Sequence, residues 1–145
     1  IWELWNGDTA DPSMNSGNHV MLLGDLIVWA YSYLGGIAQT DNSAGFKHLK
    51  LKPWPVDGLN FVKAAYRSVY GEIESHWQKQ GDKFVWDFEI PCNTSALVYI
   101  PAKNGQLDNL SRAAVEKQSG KFQKLDGNYA VYAFGSGRYH VVVNQ

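Results

Sequence analysis

From residue 83 to residue 90 the chain alternates, with Phe84, Trp86, Phe88 and Ile90 on one side and Lys83, Asp87 and Glu89 on the other. A period of two puts successive side chains on opposite faces of a strand, so this segment predicts one dry face and one wet face. Gly81-Asp82 just before it is a hairpin signal. Gly71 to Lys79 reads as the preceding strand, with Ile73, Ser75 and Trp77 on one face and Glu72, Glu74, His76 and Gln78 on the other. Phe61 to Ser68 forms another strand across Tyr70-Gly71. Phe46 to Lys52 alternates until Pro53, and Pro53-Trp54-Pro55 with Asp57-Gly58 marks a turn region. Pro91 and Pro101 bracket a strand from Thr94 to Ile100. Residues 102 to 128 carry a weaker pattern, with one or two short strands around Ala113-Ala114-Val115 and Phe122. Tyr129 to Phe134 and Arg138 to Val143 predict a closing hairpin across Gly135-Ser136-Gly137. About seven or eight half-buried strands at roughly ten-residue spacing predict a mainly β fold, an antiparallel two-sheet β-sandwich of jelly-roll-like type. No crossover helices support a parallel sheet.

Residues 20 to 34 break this rhythm. Twelve of these fifteen residues are apolar, interrupted by Gly24, Asp25 and Ser32. The run is too short and too interrupted to cross a membrane, which takes about 18 consecutive apolar residues, and no basic segment precedes it as a signal peptide would require. It predicts a helix, with Ser16 or Asn18 as N-cap and Gly35-Gly36 as stop. Because it is apolar nearly all round, such a helix is expected to be buried on several sides. Leaving a large apolar side chain in water forfeits roughly 1.5–3 kcal/mol. No second helical pattern of that quality follows, and the sequence starts at Ile1 inside what reads as a motif. The expectation is a C-terminal piece of a larger protein, whose helical part would cover this segment; dimerisation through the helix is the alternative.

Composition narrows the chemistry. With 145 residues, 45% hydrophobic and 19% charged, the chain has enough material for one domain with a sizeable core and a little more. A net charge of −1 supplies no basic field for a phosphate backbone, so nucleic acid is not expected as a partner, and neither is a membrane. Cys92 is the single cysteine and reads as a small core residue. His19, His48, His76 and His140 fall in separate elements at no ligand spacing. Asp8 and Asp11 lack the alternating ligands and later glutamate of a calcium loop and read as turn caps. No metal or cofactor is expected.

Glu3 is framed by indoles in Trp2-Glu3-Leu4-Trp5, and Asn18-His19 opens the apolar run. Sugars present apolar C–H faces to aromatic rings and hydroxyls to a few polar groups, so a carboxylate among tryptophans with an imidazole nearby suits chemistry on a sugar. Near a chain end, however, a glutamate is more often a solvated charge and a tryptophan pair more often core. Trp29 reads as core.

Several motifs occur in order. Trp2-Glu3-Leu4-Trp5, Ser16-Gly17-Asn18-His19, Trp29-Ala30-Tyr31, Leu34-Gly35-Gly36-Ile37, Gly45-Phe46-Lys47-His48 and Tyr70-Gly71-Glu72-Ile73-Glu74-Ser75-His76-Trp77 together resemble the C-terminal portion of bacterial α-L-rhamnosidases. Looser matches continue at Ile90-Pro91-Cys92-Asn93-Thr94 and Gly135-Ser136-Gly137-Arg138-Tyr139. The resemblance implies that residues 1 to 45 are the terminal segment of an (α/α)6-barrel catalytic domain and that residues 46 to 145 are the C-terminal β-sandwich. It also implies an inverting glycoside hydrolase acting on a rhamnose-containing glycoside, with Glu3 matching the general base and His19 a histidine that contacts rhamnose. Asn18 would help to place that loop, and Trp2 and Trp5 would wall the pocket. The general acid has no counterpart in these residues, so the chain alone is expected to be inert.

A second reading stays open, in which the sandwich is an independent carbohydrate-binding or interface module. Among its tryptophans, alternation assigns Trp77 and Trp86 to the core and leaves Trp54, in its proline-flanked turn, as an exposed platform.

Overall fold

The strongest alternations become the strands of one sheet. In the computed structural model, which describes residue 9 and residues 20–144, β3 (Phe61–Ser68), β4 (Gly71–Gln80) and β5 (Lys83–Ile90) form an antiparallel meander, and β9 (Gly137–Asn144) adds to the far edge of β5. The second sheet runs β1 (Ile37–Gln39), β2 (His48–Leu51), β6 (Ser95–Pro101), β8 (Tyr129–Phe134) and β7 (Lys121–Asp126). The inward faces of the two sheets share one core. Ile73, Trp77, Phe84, Trp86, Phe88 and Ile90 from the first sheet are buried with Leu49, Leu51, Val98, Ile100, Tyr132 and Phe134 from the second. A mainly β two-sheet sandwich is what the strand spacing predicted.

The aromatic rings of that core form a continuous series. Trp77 stacks on Phe84 at 5.7 Å between centroids, Trp86 lies 4.9 Å from Phe88, and Phe88 meets Phe134 edge-on at 5.4 Å. Offset and edge-to-face pairs at 4.5–7 Å are favoured over flat stacking by the ring quadrupole. Both buried indoles find partners. Trp77 Nε1 donates to the Leu34 carbonyl at 2.7 Å and Trp86 Nε1 to Ser75 Oγ at 3.0 Å.

Four expectations about strand pairing, secondary structure and Cys92 are corrected. The closing hairpin does not form: β8 pairs with β6 and β7, while β9 crosses to the other sheet and pairs with β5. Alternation says which side chains are dry, not which strand lies alongside, and the turn at Gly135-Ser136 is compatible with either outcome. In the structure Ser136 Oγ donates to the Thr94 carbonyl at 3.1 Å and the Tyr139 hydroxyl donates to the Gly135 carbonyl at 3.0 Å, which fixes the crossover. Secondly, β2 and β6 pair in parallel, within an otherwise antiparallel sheet. The long excursion through β3, β4 and β5 returns the chain to the same end, so no crossover helix is needed. Thirdly, the segment around Ala113-Ala114-Val115 is helical, part of α2 (Asn109–Lys117). Finally, Cys92 is exposed, because it sits in a turn beside Asn93, whose φ is +59°.

The start of α2 explains the third correction. Asp108 is its N-cap: Oδ1 accepts the backbone N–H groups of Leu110 and Ser111 at 2.9 and 3.0 Å, and Oδ2 accepts the Ser111 hydroxyl at 2.7 Å. Ser111 and Val115, one turn apart, are the buried pair, a helical spacing that a strand reading overlooks. The Ser111 hydroxyl above all, then its backbone N–H and Asn144, lower the Asp108 pKa from 3.8 to about 2. Since the folded value lies below the unfolded one, the cap contributes stability above about pH 4 and loses it as pH falls through about 2. The thermal midpoint is therefore expected to drop more steeply between about pH 4 and pH 2 in the native chain than in Asp108→Asn, whose amide oxygen still caps but does not titrate. Parallel curves, followed by circular dichroism, would remove this cap from the acid response.

Ahead of the sandwich, α1 (Val20–Trp29) passes into a π-helical turn at Ala30–Leu34. The chain falls into two compact units, Ile1–Ala30 and Tyr31–Gln145, so the second unit starts upstream of the expected boundary at residue 46, and β1 already belongs to its sheet. Within α1, Leu23, Leu26, Ile27, Val28 and Trp29 are exposed; the cover expected for this helix was assigned to another stretch of protein, while Trp29 does not take the core role expected of it among the described residues. Gly36 supplies the predicted stop with a φ of +69°. A Cβ there would lie 2.2 Å from the Pro53 nitrogen, so only glycine permits the approach of this segment to the end of β2. The Lys52 backbone N–H donates to the Gly36 carbonyl across that approach, at 2.8 Å.

Candidate functional site

Glu3, Trp2, Trp5, Asn18 and His19 all lie outside the described residues, as do Asp8 and Asp11. The described part does hold a groove of about 1070 Å³ on the sandwich unit, between the segments that carry residues 32–38, 50–55, 101–104 and 126–129. This is slightly above the usual range for small-molecule sites, roughly 300–1,000 Å³.

Pro53 and Pro55 fix the backbone on either side of Trp54, and the indole is 56% exposed. Tyr33, also exposed, faces it with ring centroids 6.2 Å apart and planes at 46°. The two rings make an angled apolar wall, and the Trp54 backbone N–H donates to the Tyr33 carbonyl at 2.8 Å, which ties the wall's two halves together. Trp54 thus occupies the exposed position that its turn predicts, while Trp77 and Trp86, at 1% and 0% exposure, are core as predicted.

The polar side of the groove follows from the alternation of β2, which turns Leu49 and Leu51 inward and Lys50 outward, with Lys52 following beyond the strand's end. The Lys52 ammonium lies 4.8 Å from the Tyr99 ring centroid, 4.9 Å from that of Tyr129, and 3.8 Å from Asp126 Oδ2. An ammonium held over two rings and beside a carboxylate is well positioned although half in water. The Tyr129 hydroxyl donates to the Pro53 carbonyl at 3.0 Å, and burial, with the Asp126 charge as a second cause, pushes its pKa up. Lys103 and Asn104 rise from a single 3-10 turn, Lys103–Gly105, and Asn128, on the β7–β8 connection beside it, accepts the Ala102 backbone N–H at 2.9 Å. Among the described residues no cluster of three or more metal-ligating side chains occurs.

Of this groove, the sequence pointed to Trp54 alone. Lys50 and Lys52 were readable as outward positions of a strand, but their neighbours come from distant segments, as where Lys52 meets Asp126 and the Tyr129 ring.

The architecture is that of a two-sheet β-sandwich domain, and its family follows from sequence. Residues 36–114 match the family model of the bacterial alpha-L-rhamnosidase C-terminal domain, and the chain belongs to that family. An α-L-rhamnosidase of Streptomyces avermitilis is 31% identical over 99% of this chain and 13% of its own length. One from Formosa agariphila is 32% identical over 73% of this chain and 12% of its own. The crystal structure of the S. avermitilis α-L-rhamnosidase complexed with L-rhamnose is similar with a TM-score of 0.79 and 29% identity, over 99% of this chain and 14% of that one. The α-L-rhamnosidase of Dictyoglumus thermophilum shares the fold, with a TM-score of 0.70 at 24% identity, over 91% of this chain and 15% of its own. This chain thus spans about an eighth of the curated relatives it matches.

Proposed function

We propose that this chain is the C-terminal part of an α-L-rhamnosidase that hydrolyses terminal α-L-rhamnosides with inversion, and that it carries the general base, Glu3. The supporting observation is the match to an α-L-rhamnosidase across nearly the whole chain, beyond the sandwich and into the segment holding Trp2-Glu3-Leu4-Trp5. In this reading the residues ahead of β1 belong to an (α/α)6 barrel, and the sandwich, whose sheet already includes β1, follows in sequence.

An inverting glycosidase protonates the leaving oxygen with one carboxylic acid while a second carboxylate activates water on the opposite face of the sugar. The two carboxyl groups stand roughly 6.5–9.5 Å apart, which leaves room for that water. Glu3 takes the second role. Its carboxylate accepts a proton from water as the water oxygen attacks the anomeric carbon. Trp2 and Trp5 wall the pocket and limit solvent around the carboxylate. His19 hydrogen-bonds a rhamnose hydroxyl, and Asn18 holds the loop that presents it. The proton donor comes from the remainder of the catalytic domain, which is this chain's partner.

The test uses p-nitrophenyl α-L-rhamnoside. The longer protein is expected to release β-L-rhamnose as the first product, seen by proton NMR before mutarotation, and the 145-residue chain is expected to release none. Retention of configuration would remove the inverting role from Glu3, and measurable turnover by the 145-residue chain would overturn the division of the site between two parts.

A further inference from the structure

The groove beneath Trp54 has three properties that bear on its ligand, none of which depends on the role given to Glu3. Its wall is a pair of exposed rings inclined at 46°. That geometry offers two differently oriented apolar faces, suited to consecutive rings of a twisted chain rather than to one flat heterocycle in a slot. Sugar rings present C–H faces for such contact. Asn104, Asn128 and Asp126 line the same groove, groups that between them donate to and accept from hydroxyls.

The third property is charge. The chain as a whole is at −1, yet three lysines, at positions 50, 52 and 103, line the groove against the single carboxylate of Asp126. Asp126 is already shared, with Lys52 at 3.8 Å and Lys124 at 4.0 Å. Lys50 and Lys103 have no carboxylate within ion-pair distance among the described residues. Lys50 instead leans toward the Tyr99 ring, 5.8 Å from its centroid. A groove that combines surplus ammonium groups with exposed aromatic rings favours a ligand that carries both apolar ring faces and negative charge.

We propose that this groove binds an acidic oligosaccharide, one that carries uronate carboxylates, with Trp54 and Tyr33 stacking on sugar faces and Lys50 and Lys103 pairing with the carboxylates. The sandwich then holds charged polysaccharide next to the enzyme of which it is part. Single-stranded nucleic acid also combines rings with negative charge and stacks its bases on aromatic side chains, but the asparagines of this groove suit hydroxyl-bearing rings better.

The experiment is a titration of the 145-residue chain, by calorimetry and by tryptophan fluorescence, with an α-1,4-linked tetramer of galacturonic acid, with the fully methyl-esterified tetramer, and with a dT oligonucleotide. Saturable binding of the acid tetramer is expected, weakened about tenfold by esterification and about tenfold by Trp54→Ala, the range that a lost ring contact implies. Lys50→Gln combined with Lys103→Gln is expected to reduce affinity for the acid tetramer and to leave that for the ester unchanged, and raised salt should mimic the double variant. Trp54→Tyr, which keeps a ring, should retain most of the binding; both Trp54 variants are compared with the native chain by thermal melting. The proposal is overturned by no binding of the acid tetramer, by equal binding of acid and ester, by an unaltered affinity in a folded Trp54→Ala chain, or by preference for the oligonucleotide. Since rhamnoside hydrolysis is not measured, failure here leaves the assignment of Glu3 untouched, and the reverse also holds.

Discussion

Replacing Glu3 with glutamine in the full-length enzyme is expected to lower kcat for α-L-rhamnosides by about 10²–10⁴-fold, the contribution typical of one positioned acid or base. Glutamine has nearly the shape of glutamate and still accepts a hydrogen bond, so it can hold the water but cannot take its proton. KM should change little, because the lost interaction belongs to the transition state, and kcat and kcat/KM should fall together. The thermal midpoint should match that of the native enzyme, which separates loss of chemistry from loss of fold. In the native enzyme the acid limb of the pH profile of kcat/KM reports the base, since protonating it abolishes the reaction. A Glu3→Gln enzyme with near-normal kcat would take this residue out of the mechanism. His19→Ala provides a contrast: a group that contacts one hydroxyl should raise KM as well as lower kcat, by a smaller factor.

What could be read in advance depended on the range of each signal. Strands β3, β4 and β5 were legible almost to the residue because alternation and tight turns are local, and a meander requires nothing else. The parallel pairing of β2 with β6 and the crossing of β9 to the other sheet were not legible, since both depend on which edges remain open once the meander has formed. The helix α2 could have been found. Asp108 three residues before Ser111, with Val115 a turn later, is a cap followed by a helical stripe, and two adjacent alanines in the middle favour helix over strand. For Cys92 the residue type points to the core, but its place, between Pro91 and a left-handed Asn93, decides its exposure. The groove shows the same limit at larger scale. Trp54 was recognisable from its two prolines, but the lysines and asparagines that line the same groove are assembled from connections that only the closed sandwich brings together. Glu3 was the reverse case, a local motif with an evident chemical sense, whose partners in the proposed reaction belong in part to another stretch of protein.

Trp86 is where the sandwich is expected to be least tolerant. It sits in β5, which is flanked on both sides by β4 and β9, and is completely buried. Phe84 meets it edge-on at 6.1 Å and Phe88 lies 4.9 Å away. Trp86→Ala removes the ring from a site that two paired strands prevent from collapsing, so the cost combines lost transfer energy with a retained cavity, about 3–5 kcal/mol. For a unit of this size that corresponds to a fall of roughly 10–25 °C in the thermal midpoint. A polar term can be separated from the packing term. Ser75, itself fully buried on the neighbouring strand, accepts the indole N–H at 3.0 Å, so Ser75→Ala leaves a buried donor unpaired at about 1–3 kcal/mol. Trp86→Phe leaves the reverse defect, a buried hydroxyl without its donor. In the double variant Ser75→Ala, Trp86→Phe both polar groups are gone, and its destabilisation should be smaller than the sum of the two single changes. Urea unfolding followed by fluorescence and circular dichroism measures all four proteins. Strict additivity would mean that the Ser75 and Trp86 side chains do not interact, and a cost below about 1 kcal/mol for Trp86→Ala would mean that the two sheets do not close on this ring.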